Sequence, residues 1–78
     1  FIETPANGET IDVTGKGIIS ITPNTFQQYF LISNTPGQEV VFINKGSSQV
    51  VIQGQLIVPN GTVTFVNANG FKFVTSVN

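Results

Sequence analysis

The chain is predicted to be all-β, a small antiparallel sandwich or β-prism-like module of about eight short strands. Three observations carry this prediction. Ile, Val and Thr number 28 of the 78 residues, whereas Leu, Ala and Met together number four. β-Branched side chains are stiff at χ1 and pack well on a pleated surface, so this balance favours strands over helices. No window carries a 3.6-residue apolar repeat, the signal an amphipathic helix needs. Gly, Pro and Asn punctuate the chain at intervals of roughly ten residues, the spacing of short strands joined by turns.

The elements follow from alternation and turn chemistry. Asn7-Gly8 leads into a first strand over Glu9 to Thr14, with Ile11 and Val13 on one face and Thr10, Asp12 and Thr14 on the other. Thr14-Gly15-Lys16-Gly17 turns the chain into Ile18 to Thr22, and Pro23-Asn24 ends that strand. A third strand runs from Phe26 to Asn34. Thr35-Pro36-Gly37 has Pro and Gly in the order a type II turn favours. The fourth strand, Gln38 to Asn44, is apolar on both faces at VVFI and is expected to be covered on both sides. Gln49–Gln53 and Gln55–Val58 follow, separated by Gly54. Pro59-Asn60-Gly61 is expected to close a hairpin into Thr62–Asn67, and Asn69-Gly70 the next hairpin into Phe71–Val77, because Asn-Gly suits the two positive-φ positions of a type I′ turn. The expected order is a meander or Greek key. The segments GQEVVFINKG, SQVVIQGQ and TVTFVNANG resemble one another, a likeness that β composition alone accounts for.

A chain this short forms one domain and buries only about 60–65% of the surface its unfolded form exposes. Small domains are commonly reinforced by disulfides, a structural metal or association. The chain has no Cys and no His, and its carboxylates are Glu3, Glu9, Asp12 and Glu39. Disulfides, thiolate sites and zinc are thereby excluded. No carboxylates form an acidic loop of the kind that holds calcium. No cofactor or metal is expected, and association is the reinforcement that remains. Charged residues are 9% of the chain, three of them Lys and none Arg, which argues against nucleic acid as a partner. The longest apolar run is four residues, Val40 to Ile43, far short of the roughly 20 that cross a bilayer.

Catalytic constellations are missing. Glu9 and Asp12, three residues apart, fall on opposite faces of a strand and cannot work as a facing pair. With no His, nucleophilic chemistry would rest on a Ser-Lys pair such as Lys45 with Ser47 or Ser48, but these lie in a Gly-containing turn where a Lys is ordinarily just solvated. The chain is read as a non-enzyme.

Most strand phenylalanines, Phe30, Phe42, Phe65, Phe71 and Phe73, read as core. Phe71 and Phe73 nevertheless share one face of the last strand while Val74 takes the other, and Val50 and Ile52 oppose Val51 in the same way. Two apolar faces exceed what a lone sandwich needs, so Val50, Ile52, Phe71 and Phe73 are the expected subunit interface. Tyr29, beside Gln27 and Gln28, is expected to be an exposed ring with amides at hand, the tools that bind a sugar's C–H face and hydroxyls. Gln27, Gln28 and Tyr29 are thus candidate glycan contacts, together with the turn residues Asn67 and Asn69.

The stretches GQEVVFIN (37–44), SSQVVIQG (47–54) and QLIVPNGTVTFVNANGFKFV (55–74) resemble a small module of phage tail fibres and tailspikes. That pattern runs Gly-Gln and an apolar strand, a second strand, a Leu/Ile-x-Val-Pro-x-Gly hairpin, then an Asn-Gly-aromatic ending. The likeness covers roughly residues 9–77, and Phe71 and Phe73 stand where a Trp is often found. It implies a homotrimeric β-structure within a larger fibre or virion protein, extracellular or on the virion, possessing loops that contact host-surface glycan or other virion proteins. Closed symmetry would also cover strand edges that few Lys or Pro residues guard. The rival expectations are a monomeric carbohydrate-binding β-sandwich of a secreted protein and a jelly-roll-like capsid or decoration protein.

Overall fold

In a computed structural model the chain forms eight strands, and the structure describes residues 4–77; Glu3 lies outside them. The strands are β1 (Thr10–Asp12), β2 (Ile18–Ile21), β3 (Gln27–Ile32), β4 (Glu39–Asn44), β5 (Val50–Ile52), β6 (Gln55–Ile57), β7 (Thr62–Asn67) and β8 (Phe71–Val77). Every expected strand is present: β7 and β8 keep the expected bounds, and the other six are one or more residues shorter where the turns draw the backbone away.

The way the strands pair departs from the expected antiparallel meander or Greek key. The first sheet has the order β1-β3-β5-β6 and the second β2-β4-β7-β8, so from β1 to β5 the chain changes sheet at every connection. Going up one sheet and down the other makes neighbours within a sheet parallel. Thr10 lies beside Phe30, Ile18 beside Val41 and Gln27 beside Val50, offsets of 20, 23 and 23 residues. A parallel pair needs a crossover of a dozen residues or more, and here a strand of the opposite sheet with its two loops supplies it. The winding is then closed by antiparallel pairing, β5 with β6, β4 with β7 and β7 with β8. Both sheets are therefore mixed.

Two turns exchange roles as a consequence. Pro59-Asn60-Gly61 does not close a hairpin: β6 belongs to the first sheet and β7 to the second, so this turn is a crossover between sheets. The two-residue hairpin lies at Gln53-Gly54, both with positive φ (51° and 79°), between the paired Ile52 and Gln55, and this geometry is that of a type I′ turn. Asn69 and Gly70, also at positive φ, lie in the β7–β8 hairpin as expected, in a three-residue loop between Asn67 and Phe71. At Thr35-Pro36-Gly37 the Gln38 N–H donates to the Thr35 carbonyl at 3.4 Å with Gly37 at φ 78°, the arrangement foreseen for a type II turn.

The core lies between the sheets. Ile11, Val13, Tyr29, Leu31, Val50, Ile52 and Ile57 enter it from the first sheet and the loop after β1; Ile19, Ile21, Val40, Phe42, Val63, Phe65 and Phe71 enter from the second. Phe42 and Phe65 meet edge to face, with centroids 6.2 Å apart at 76°, a favourable arrangement of ring quadrupoles. Val50 and Ile52 are fully buried here, which overturns their reading as subunit interface: β5 is a middle strand whose Val50–Ile52 face points at the opposing sheet. Phe71 is buried as well, while Phe73 is half exposed.

Among the described residues one polar side chain is fully buried, Asn44 at the end of β4. Its amide donates to the Ser48 carbonyl at 2.9 Å and to the Ile57 carbonyl at 3.1 Å, and its oxygen accepts the Gly46 N–H at 2.9 Å. The side chain thus spans from the second sheet to the first and shapes the β4–β5 crossover, every bond it makes answering a group that burial would otherwise leave unpaired. Beside it the Ser47 and Ser48 N–H groups both donate to the Pro23 carbonyl. That contact draws Gly46 so close that a Cβ there would lie 2.2 Å from the Pro23 oxygen; only glycine fits.

Candidate functional site

Two regions of the surface stand out, a cleft among the loops at one end and the outer face of the first sheet. The cleft has a volume of about 400 Å³ and is lined by Ser33, Asn34, Pro36, Asn67, Asn69 and Gly70. Its walls are the β3–β4 and β7–β8 connections, which lie together because β3 and β7 both end there.

Side-chain amides fasten this end. The Gln38 amide donates to the Val13 carbonyl at 2.6 Å and the Lys16 carbonyl at 2.9 Å, while its oxygen accepts from the Ser33 hydroxyl. Asn67 donates to the Thr35 carbonyl at 2.9 Å and the Ser33 carbonyl at 3.4 Å and accepts the Gly70 N–H at 3.3 Å. Backbone bonds from Gly37 to Asn67 and from Asn67 to Gln38, each 2.8 Å, complete the link. Asn67 is therefore a scaffold residue whose amide is already engaged on both sides. Asn69, at φ 58° on the exposed rim, is the one held toward solvent. A floor of fixed carbonyls and amides with exposed Asn34, Asn69 and the ring of Pro36 can hydrogen-bond a polar, uncharged ligand, since the lining carries no charge.

The other expected contacts do not join this cleft. Gln27, Gln28 and Tyr29 begin β3, at the end opposite the β3–β4 loop, and strand alternation sends them apart. Tyr29 points inward and is fully buried, with its hydroxyl donating to the Pro5 carbonyl at 2.6 Å. Burial pushes that hydroxyl above its ordinary 10.0, and the Glu9 carboxylate adds to the shift. The exposed ring expected from Gln-Gln-Tyr is thus a core ring, and Tyr29 is not available to stack on a sugar. Gln27 is partly buried, donating to the Thr25 hydroxyl at 2.9 Å, with its own oxygen buried and unpartnered. Gln28 points outward, its backbone N–H taken by the Asn7 side chain at 2.8 Å.

Gln28 stands in the middle of the second region. Outward-facing residues of β3, Gln28, Phe30 and Ile32, continue a line begun by Phe26 just ahead of the strand. Phe26 is 58% exposed, Phe30 44% and Ile32 56%. Gln28 lies beside Val51 of β5, and Val51 beside Leu56 of β6, itself 41% exposed. Four of the seven exposed large hydrophobics among the described residues thus share one sheet face. Phe30, read from the sequence as core, belongs to this face instead. Asp12, at the β1 margin, is the single charged residue in the four strands. The Thr14 hydroxyl and then its backbone N–H, 3.0 Å away, hold the Asp12 carboxyl below its ordinary 3.8.

Sequence reasoning missed Asn34 and Pro36 as cleft residues and Phe26, Phe30, Ile32 and Leu56 as an apolar face. A signal for the latter was present: Phe26, Phe30 and Ile32 share one parity in the third strand, opposite to Tyr29 and Leu31.

Among the described residues no group of three or more His, Cys, Asp or Glu side chains is placed to hold a metal ion. Among the described residues no helix is long and apolar enough to cross a membrane. Comparison of the chain with protein-family models, curated proteins and solved structures finds no match in any of the three.

Proposed function

We propose that this chain is a structural, self-associating module of a viral fibre or virion-surface appendage, working as a homotrimer outside the cell and performing no catalysis. The observation that carries the reading is the outer face of the first sheet, where Phe26, Phe30, Ile32 and Leu56 stand exposed with Asp12 alone for charge. Isolated surface apolar residues need no explanation, but a contiguous group on one sheet face marks an interaction surface. A thin core of fourteen buried apolar side chains gains most from covering such a face.

The loop cleft supports the second part of the proposal, contact with a neutral polar partner such as a host-surface glycan or another virion protein. Asn34 and Asn69 are the residues placed for it, with Asn67 and Gln38 holding the loops. The test is the molar mass of the chain by light scattering at micromolar concentration. A mass of about three times 8.3 kDa is expected. A mass near 8.3 kDa at every concentration overturns self-association and turns attention to the monomeric carbohydrate-binding reading, for which Phe26 and Phe30 would be the exposed rings.

A further inference from the structure

Independently of any association between chains, we propose that Asn69 is a site of spontaneous deamidation, through which the uncharged rim of the loop cleft acquires a carboxylate. The attacking group is the backbone nitrogen of Gly70, and the co-reactant is water. The chain holds three Asn-Gly pairs, Asn7-Gly8, Asn60-Gly61 and Asn69-Gly70. Locally they are alike, since in each a glycine without a side chain leaves its amide nitrogen unshielded. The fold separates them.

The reaction needs the glycine nitrogen to give up its proton and bond to the asparagine Cγ. The Cγ–Nδ2 bond then breaks and ammonia leaves, closing a succinimide ring. Water opens that ring at one carbonyl or the other, giving aspartate or its isoaspartyl isomer. Amide and water become acid and ammonia, and nothing is oxidised or reduced. Two structural conditions follow. The glycine N–H must be easily released from its acceptor, and the asparagine side chain must be free to swing onto it.

At Asn7 both conditions fail. Its Oδ1 accepts the Gln28 N–H at 2.8 Å, and the Gly8 N–H donates to the Gln28 carbonyl at 2.8 Å, so the pair is clamped to β3. At Asn60 the side chain is exposed but the backbone is locked. Gly61 is buried; its N–H donates to the Val58 carbonyl at 2.9 Å and its carbonyl accepts the Asn44 N–H at 2.9 Å. The Asn60 N–H donates to the Asn44 carbonyl at 2.7 Å. Asn69 differs on each count. Asn69 and Gly70 are both exposed, and the Asn69 side chain makes no hydrogen bond to any described residue. The Gly70 N–H donates to the Asn67 Oδ1, a side-chain acceptor 3.3 Å away. Chain neighbours aside, no atom lies within 4 Å of the place a Cβ would take on Gly70, which leaves room for the Asn69 amide to approach. Both residues sit at a hairpin tip, which can open without unpairing β7 from β8.

The product alters the cleft, whose lining carries no charge. An amide donates and accepts, whereas a carboxylate only accepts. Conversion therefore withdraws a donor from the rim and favours a cationic partner over a neutral one. One added carboxylate takes the formal net charge from −1 to −2, a large change for a chain with three lysines and four carboxylates.

The experiment incubates the full folded chain in mildly alkaline buffer and, in parallel, the same chain unfolded in urea. Cleavage after lysine gives a peptide ending at Lys16 that holds Asn7, and one from Gly46 to Lys72 that holds Asn60 and Asn69. Tandem mass spectrometry then reads the acid formed at each position. In the folded chain Asn69 is expected to convert at least about fivefold faster than Asn7 or Asn60, the margin set by one further hydrogen bond to break. In urea the three rates should converge, because only the fold distinguishes the pairs. Asn69→Gln keeps the amide but closes a less favourable ring, so residue 69 should stay unconverted, with circular dichroism confirming the β fold. The comparison of folded and unfolded parent decides the matter even if that variant does not fold. Asn7 or Asn60 keeping pace with Asn69 in the folded chain overturns the proposal, as does a rate order that urea leaves unchanged.

Discussion

The two sheets are alike on the inside and unlike on the outside. Each sends seven apolar side chains into the shared core, and each has its largest rings there, Tyr29 from the first and Phe42 and Phe65 from the second. Outside, the second sheet mixes Thr, half-buried Val and Ile, Glu39 and Lys72 with a scattered exposed Ile18 and, along its β8 edge, the half-exposed Phe73 and Val74. The first shows Phe26, Phe30, Ile32 and Leu56. The inner faces decide whether the chain folds, since they hold nearly all of its buried apolar surface. The outer faces decide what the folded chain does with others. An aromatic ring can serve either purpose, and only the side of the strand it occupies tells which.

That difference is open to measurement. The largest effect is expected at Phe42, where Phe42→Ala should cost about 3–5 kcal/mol, the usual range for emptying a buried ring's site, whereas Phe30→Ala in the dissociated chain should cost less than about 1 kcal/mol because that ring is already 44% exposed. Denaturant titration of both variants below the association concentration checks it. Equal costs would mean that the outer face is packed within a single chain, and the comparison would collapse.

Next in size is Gly46→Ala. Its Cβ would meet backbone atoms and the ring of Pro23 at 2.2–2.4 Å, and forcing that crossover apart should destabilise by about 1–3 kcal/mol or more. The site joins the β2–β3 and β4–β5 crossovers without touching either outer face, so the mass of three should persist wherever the variant is folded. A stability unchanged from the parent would show that the two connections are not drawn together as described.

The smallest effect concerns Tyr29. Tyr29→Phe removes the hydrogen bond to the Pro5 carbonyl and should cost about 1 kcal/mol at neutral pH. Its pH dependence is more telling. The Tyr29 hydroxyl ionises above its ordinary 10.0 in the folded chain, so the stabilisation it brings is full below pH 10.0 and lost as pH rises through the folded value. Thermal melts from neutral to strongly alkaline pH should fall more steeply for the parent than for Tyr29→Phe. Parallel curves would mean that the ring is as exposed as the outer phenylalanines.

How far the sequence could be read follows the range of the interactions involved. Strand positions were legible because alternation and turn residues act over a few neighbours: Gly37 after Pro36 and Gly70 after Asn69 take the positive φ that only a few residues tolerate. Pairing was not legible. Pro59-Asn60-Gly61 has the chemistry of a hairpin turn yet crosses between sheets, since what lies beside β6 is β5, held by the tighter Gln53-Gly54 turn. The cleft was half legible. Asn67 and Asn69 were found as turn residues, but Asn34 and Pro36 come from 31 to 35 residues earlier and meet them only because β3 and β7 end at the same pole. Tyr29 misled for a related reason: its neighbours Gln27 and Gln28 are polar, yet the partner that satisfies its hydroxyl, Pro5, lies 24 residues away.

By itself, then, the sequence determined that this chain is built of eight strands in this order along the chain, and that neither thiol nor imidazole chemistry is open to it, because these follow from side-chain stereochemistry and composition. The tertiary structure decided which strands are neighbours, which of two apolar faces becomes core, and that Val50 and Ile52 lie inside while Phe30 and Ile32 lie outside. Those choices rest on contacts between residues far apart in the chain. Alternation states that two faces differ without stating which one meets the other sheet.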